Sequence, residues 1–74
     1  MASIYREQYQ AIIARLIQAR KDAGLTQVEL AERIGQRQTF VSKYELGERR
    51  LDVAEFVEIC KAIGADPFEA LREQ

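Results

Sequence analysis

The chain has 74 residues, of which 47% are hydrophobic and 31% are charged, and its formal net charge is −1. This length allows a single domain over residues 1–74, which buries only roughly 60% of its unfolded surface. No run approaches the ~18 apolar residues of a membrane span, and the N-terminus lacks the apolar core of a secretory signal. The single cysteine, Cys60, excludes an internal disulfide, and without histidine the commonest general base and metal ligand is missing. We therefore expect a cytoplasmic, non-enzymatic domain with no membrane contact, metal or cofactor.

Four glycines divide the chain into five segments with helical periodicity: Gly24, Gly35, Gly47 and Gly64. Glycine favours the position just past a helix because it accepts the left-handed conformation there. No segment shows sustained alternation or an Asn-Gly or Asp-Gly hairpin turn. The sequence therefore predicts an all-α fold, a compact five-helix bundle.

The first two helices each show an apolar side. In helix 1, roughly residues 4–22, these residues recur at three- and four-residue steps: Tyr5, Tyr9, Ile12, Ile13, Leu16 and Ile17. Helix 2 opens at Thr26, which forms a capping box with Glu29 and so satisfies free backbone N–H groups. Its predicted buried side consists of Leu30, Ala31 and Ile34.

Helix 3, about residues 37–46, begins within two residues of the glycine that ends helix 2. A helix, a tight glycine turn and a second helix with a polar outer side form a helix-turn-helix. Val41 and Tyr44 are expected to face the core, whereas the outer face carries Gln38, Thr39, Ser42 and Lys43. Such a helix fits the major groove of DNA, where glutamine can pair with adenine and lysine can reach guanine or phosphate. Phe40 has two possible roles, a contact with a thymine methyl or packing between helix 3 and a neighbour.

Two more capped segments complete the chain. Helix 4 begins at Asp52, which forms a capping box with Glu55. This helix is expected to bury Val53, Phe56, Val57, Cys60 and Ile63. Helix 5 starts at Asp66 with a proline in the first helical position, and Phe68 and Leu71 form its apolar side.

The charge is unevenly distributed along the chain. Residues 35–50 have a net charge of +2, whereas residues 51–74 have a net charge of −4. The predicted recognition helix therefore lies in a locally positive zone, and the acidic helices 4 and 5 would face away from DNA.

The segment LTQVELAERIGQRQTFVSKYELGERRL resembles the phage-repressor and Cro-like helix-turn-helix family, often called XRE-type. The positions at the family's spacing are Leu25-Thr26-Gln27, Glu29-Leu30-Ala31, Gly35, Val41-Ser42-Lys43, Glu45 and Gly47. The resemblance spans helices 1 to 5 and implies a lambda-repressor-like DNA-binding fold, with the helix-turn-helix at about residues 26–46. It also implies a prokaryotic, phage or plasmid origin.

The resemblance further implies roles for single residues. It places base contacts at Gln38 and Thr39, base or phosphate contacts at Ser42 and Lys43, and a phosphate contact at Gln27. The chemistry and position of the residues, apart from the resemblance, add Phe40 as an expected base contact and Arg37, Arg49 and Arg50 as expected phosphate contacts. Gln27 would also brace the recognition helix, and Arg20 of helix 1 would pair with Glu45 of helix 3. The family usually has valine and serine where this chain has Gln36 and Arg37, so helix 3 lacks the usual serine N-cap.

These features predict a transcriptional regulator, a repressor that binds a palindromic operator in double-stranded DNA as a homodimer. The expected dimer surface comprises Ile59, Phe68 and Leu71, although these residues could equally complete the core of one subunit. Two alternatives remain open: a protein-interaction module, such as an antitoxin that binds a toxin partner through helices 4 and 5, and a fragment of a longer regulator.

Overall fold

The computed structural model describes the backbone of residues 4–72 and the side chains of residues 6–72. Within this part the chain forms five helices and no strand: α1 (Ile4–Asp22), α2 (Gln27–Arg33), α3 (Gln38–Leu46), α4 (Val53–Ile63) and α5 (Pro67–Leu71). The predicted all-α, five-helix bundle is thus confirmed; the side chain of Tyr5, assigned to the stripe of helix 1, lies outside the described residues. None of the described helices is both long and apolar enough to cross a bilayer.

Side-chain caps start three of the helices. Thr26 and Glu29 form the predicted capping box of α2, with bonds of 3.1 and 2.9 Å, and Asp52 and Glu55 form that of α4, with bonds of 2.7 and 3.0 Å. At α5, the Asp66 carboxylate accepts a 2.9 Å bond from the amide of Phe68. The first free N–H groups of these helices are therefore satisfied locally, as the sequence indicated.

The turn between α2 and α3 depends on Gly35, whose φ of +68° lies in the left-handed region. Its amide donates to Glu32 O at 3.2 Å, and the amide of Gln36 donates to Ala31 O at 2.9 Å. These two bonds make a Schellman motif, which ends α2 and satisfies its last carbonyls. Since α3 begins at residue 38, this motif sets the direction in which the third helix leaves the second.

One core joins all five helices. Its buried residues are Ile13, Leu16, Leu30, Ala31, Val41, Tyr44, Phe56, Ile59, Cys60 and Ala70. Cys60 is fully buried and burial raises the pKa of its thiol, so it packs as a small apolar side chain.

Of the two roles expected for Ile59, completion of the core is the one that the structure shows, and the expectation that Val53 is buried was wrong. Ile59, assigned to an exposed dimer surface, is 0% exposed and borders the same small depression as Ile34 and Phe40. Because α1, α2 and α5 all pack on α4, the buried side of this helix is wider than a single stripe, and Ile59 completes the core of the subunit. Val53, assigned to the core, begins α4 and is 79% exposed.

Tyr44 contains the one unsatisfied polar atom among the described buried side chains. The residue is 0% exposed, and its hydroxyl has no hydrogen-bond partner in the described part of the chain. Burial raises the pKa of the phenol far above its ordinary value, so the group stays neutral. A buried hydroxyl without a partner is destabilising, because the bonds it made to water are not replaced.

We expect Tyr44→Phe to leave the free energy of unfolding unchanged or to raise it by up to about 1 kcal/mol, since only the unpaired oxygen is removed. Thermal unfolding measures this as a Tm that is unchanged or up to about 4–8 °C higher. The control is Tyr44→Ala, which removes the whole ring and should lower stability by about 3–5 kcal/mol. A clear loss of stability in Tyr44→Phe would mean that the hydroxyl is bonded.

Candidate nucleic-acid interface

The outer face of α3 is open to solvent, while its inner face belongs to the core. Val41 and Tyr44 are 0% exposed. On the opposite side Gln38, Thr39 and Lys43 are exposed, and Ser42 is half-buried. The polar side of the helix is therefore not covered by the other residues that the structure describes.

A chain of hydrogen bonds links α1 to this exposed face. Arg20 donates to the Glu45 carboxylate through Nε at 2.8 Å and Nη2 at 3.1 Å, which is the expected ion pair. Gln27 Nε2 donates to Glu45 Oε1 at 2.9 Å, and Gln38 Nε2 donates to Gln27 Oε1 at 2.7 Å. Arg20 also donates from Nη1 to Leu25 O at 2.8 Å. The hydrogen bond to Glu45 is the largest cause of the raised pKa of Arg20.

The start of α3 differs from the other helix starts. Arg37 occupies the N-cap position with extended backbone, and no side chain caps the helix, as the missing serine predicted. The side chain of Arg37 is exposed. One turn further on, Ser42 Oγ donates to Thr39 O at 3.3 Å, which leaves the lone pairs of the Ser42 hydroxyl available as acceptors.

Phe40 packs inside the protein, which was the second of its two predicted roles. Its ring makes an edge-on contact with Tyr44, at 5.9 Å between centroids and 62° between planes. The guanidinium of Arg49 covers the ring at 4.6 Å from its centroid. Because the half-buried ring already contacts Arg49 and Tyr44, Phe40 is assigned to packing rather than to a base contact.

Arg49 is bound within the subunit rather than free for phosphate. Its guanidinium donates to both oxygens of Glu55, at 3.0 and 2.7 Å, and to Arg50 O at 3.1 Å. The hydrogen bonds from Arg49 to Glu55, and then the capping bond from Asp52 N, lower the pKa of Glu55 to about 2. The charge of Arg49 is therefore paired, and its main contact is with the start of α4.

Arg50 lies on an aromatic ring that sequence analysis did not connect with it. Its guanidinium stands 4.7 Å from the ring centroid of Tyr9, and the Tyr9 hydroxyl accepts a 3.0 Å bond from Leu51 N. Tyr9 precedes Arg50 by forty-one positions, so local spacing contains no sign of this contact. No acidic side chain in the described residues forms an ion pair with Arg37, Lys43 or Arg50.

The sequence and the fold are similar to those of known proteins. A helix-turn-helix family model matches residues 16–69, well over half of the chain. The chain is 53% identical to a solved structure of an XRE-family like protein from Pseudomonas syringae pv. tomato str. DC3000, over 92% of this chain and 83% of that one, with a TM-score of 0.89. No curated protein sequence matches the chain.

The chain belongs to the XRE-type helix-turn-helix family. A second solved structure, the clp gene regulator ClgR from C. glutamicum, is 30% identical with a TM-score of 0.80, over 86% of this chain and 83% of that one. The expected family is thus confirmed, and this XRE-type chain is a DNA-binding transcription regulator.

The Arg49–Glu55 pair of this XRE-type domain gives a prediction for stability against pH. The folded pKa of Glu55, about 2, lies below its ordinary value of 4.5. A carboxyl group whose pKa is lowered by folding adds to the free energy of unfolding above pH ~4.5. This contribution is lost as the pH falls through the pKa of the folded state. We expect Glu55→Gln, which keeps a capping side chain, to lower stability at pH 7 by about 0.5–1 kcal/mol, a range set by the partial exposure of the pair.

Thermal unfolding of Glu55→Gln and the wild type from pH 7 to pH 2 checks this, and the difference in Tm should narrow below pH ~4.5. The control is Glu29→Gln, which alters the other capping box, where no arginine in the described residues bonds the carboxylate. An equal difference in Tm at every pH for Glu55→Gln would show that the ion pair contributes nothing.

Proposed function

We propose that this regulator is a repressor that inserts α3 into the major groove of a specific operator. The observation that supports this most directly is the exposed polar face of α3 together with the hydrogen bonds that hold Gln38 on it. An α-helix of this width fits the major groove, where base edges can be distinguished by their donors and acceptors. The similarity to the clp gene regulator ClgR from C. glutamicum supports the same class of function.

The contacts to DNA divide into two groups in this proposal. Gln38, Thr39, Ser42 and Lys43 contact bases, since they share the exposed side of α3. Gln27, Arg37 and Arg50 contact phosphates: Gln27 keeps a second amide hydrogen, and the two arginines lack an acidic partner among the described side chains. Arg49 is left out of this group because Glu55 neutralises it.

Replacing Gln38 or Thr39 by alanine should reduce discrimination between the operator and unrelated duplexes by about 1–3 kcal/mol per lost base contact. The measurement is competition binding with duplexes selected from a random pool. Gln18→Ala is a matched control, because Gln18 is also exposed and hydrogen-bonded, in a position outside α2 and α3. Unchanged discrimination in both α3 variants would contradict base reading by this helix.

The affinity of the wild type for DNA should fall only slightly as the salt concentration rises. The slope of log affinity against log salt concentration should correspond to roughly 3–5 released counterions per pair of subunits. The small number of unpaired cations near α3 is the reason. Binding that does not respond to salt at all would contradict the DNA proposal, since phosphate contacts always release counterions.

The active form in this proposal is a homodimer, which reads the two halves of a palindromic site. One subunit covers only a few base pairs, and two recognition helices about 34 Å apart reach successive turns of one DNA face. Apolar side chains suited to an interface remain exposed near the C-terminus: Phe68 and Val53 are each 79% exposed and Leu71 is 49% exposed. The acidic charge of residues 51–74 favours placing this surface away from the phosphates.

Phe68→Glu should convert the dimer into a folded monomer, because it places a charge on the proposed interface without touching the core. Sedimentation equilibrium measures the mass, and circular dichroism checks the fold. Leu46→Glu is the control, since Leu46 is 71% exposed on a different helix. If Leu46→Glu gave monomers and Phe68→Glu did not, the interface would lie elsewhere.

The exposed α5 surface also favours a second candidate, a module that binds a protein partner such as a toxin. Phe68 and Leu71 are apolar, exposed and part of a segment, residues 51–74, with a net charge of −4, which suits a basic partner. The two functions differ in their response to Gln38→Ala and Thr39→Ala, which would leave such a partner bound.

A further inference from the structure

We infer that Tyr9 of α1 is a positioning residue for DNA binding, because its ring and its hydroxyl together hold Arg50, in the segment after α3, in place for a backbone phosphate. This inference rests on the proposed phosphate contact of Arg50. It assigns to α1, which lies outside the helix-turn-helix, a role in the affinity for DNA.

The first step is the backbone at Arg50. The peptide group between Arg50 and Leu51 has both of its polar atoms bonded to side chains. Arg49 Nη1 donates to Arg50 O at 3.1 Å, and Leu51 N donates to the Tyr9 hydroxyl at 3.0 Å. Because a peptide group is planar, two bonds on its opposite edges fix its orientation. The direction in which the Arg50 side chain leaves the backbone is therefore restricted as well.

The second step is the position of Tyr9 itself. The residue is half-buried and packs against the core that joins the five helices. It borders two depressions, one shared with Gly47 at the end of α3 and the other shared with Leu51 just before α4. Tyr9 therefore lies where α1 meets the segment between α3 and α4, and packing against the core holds its ring in place.

The third step is the chemistry of the contact between the ring and Arg50. The guanidinium carbon stands over the ring, 4.7 Å from its centroid, and the arginine side chain is exposed. The face of a ring attracts a cation through its quadrupole and leaves the charge of the cation unneutralised. No hydrogen bond or ion pair joins the N–H groups of Arg50 to another described residue. Arg50 is thus held and still charged, which is the state that a charge-assisted bond to phosphate requires.

The fourth step is the contrast with the preceding arginine. Arg49 lies over Phe40 in the same manner, at 4.6 Å from the ring centroid. Its guanidinium also donates to both oxygens of Glu55, at 3.0 and 2.7 Å, so the carboxylate uses its donors and its charge. Of the two arginines, the one that lies on Tyr9 is the one available to an anion.

The fifth step is the size of the effect. A flexible arginine loses rotamer freedom when it binds a phosphate, and a ring that already restricts the side chain reduces this loss. For a cation–π contact at an exposed site, the expected gain in affinity is roughly two- to fivefold for each subunit bound. The gain should be the same for every base sequence, because phosphates carry no sequence information.

The position of Arg50 is tested first in the protein without DNA, by ¹⁵N relaxation of the Arg50 Nε–H group. The test variant is Tyr9→Leu, which removes the ring and the hydroxyl and keeps an apolar side chain against the core. The conservative variant is Tyr9→Phe, which keeps the ring. We expect the Nε–H group to be ordered in the wild type and in Tyr9→Phe and mobile in Tyr9→Leu. Equal mobility in the three proteins would overturn the inference.

The effect on binding is tested next, on the selected operator and on unrelated duplexes over a range of salt concentrations. Tyr9→Leu should lower the affinity for all duplexes by roughly two- to fivefold for each subunit bound, and Tyr9→Phe should restore most of this loss. The salt slope of Tyr9→Leu should equal that of the wild type, because Arg50 still reaches the phosphate. Arg50→Ala should instead reduce the slope by about one counterion per subunit. An unchanged slope in Arg50→Ala, or an unchanged affinity in Tyr9→Leu, would contradict the inference.

A double variant separates positioning from stability. Tyr9→Leu should have no further effect on affinity once Arg50 is replaced by alanine, since the ring acts through that side chain. The control is Val57→Ala, which trims a side chain packed on the core and should lower the Tm while leaving the affinity below the Tm unchanged. An equal loss of affinity with and without the Arg50 side chain would mean that Tyr9 acts through the fold alone. A wild type that binds no duplex would overturn the proposed function and the inference together, whereas loss of the Tyr9 effect alone would leave base reading by α3 intact.

Discussion

The ion pair between Arg20 and Glu45 joins three parts of the domain at one point. Arg20 extends from the last turn of α1, bonds the carbonyl of Leu25 in the loop before α2, and binds the Glu45 carboxylate on α3. Removing one partner of such a buried pair typically costs about 3–5 kcal/mol, because the other charge stays buried alone. This is a large share of the stability that a 74-residue domain can have. A buried pair adds little net stability over apolar packing, so its main effect is to fix the position of α3 relative to α1.

In the short basic stretch that follows α3, one arginine joins two helices and the next keeps an unpaired charge. Arg49 covers the ring of Phe40 and binds Glu55, which also caps α4, so this arginine joins α3 to α4. Arg50 lies on Tyr9 of α1 and keeps its charge unpaired within the described residues. Adjacent residues of identical type therefore differ in role because only one of them meets a carboxylate.

The sequence predicts the helices well because their ends are chemically marked. Gly35 and Gly64 take left-handed conformations past α2 and α4, and Thr26 and Asp52 form the capping boxes. Such signals act over a few residues, so they can be recognised without knowledge of the tertiary structure. The Arg20–Glu45 pair, 25 positions apart, was expected only from the resemblance to a family.

The residues for which sequence analysis left two roles open depend on contacts that periodicity along one helix does not show. Ile59 lies off the apolar stripe of its own helix, yet it is buried because three other helices surround α4. Phe40 lies in a polar stretch, yet its half-buried ring packs against the core and contacts Arg49 and Tyr44. Periodicity along one helix predicts the side that faces one neighbour, and it fails where a helix has several neighbours.

The small size of the domain makes polar side chains near its surface part of what holds the helices together. A chain of this length has little apolar surface to bury, so hydrogen bonds near the surface must help to hold α3 in place. Gln27 and Gln38 do this on the side of α3 that is open to solvent. Both amides are hydrogen-bonded, and the bonds lead from Gln38 through Gln27 to the carboxylate of Glu45. In a domain of this size, the exposed polar side of α3 is therefore connected by hydrogen bonds to the ion pair between α1 and α3.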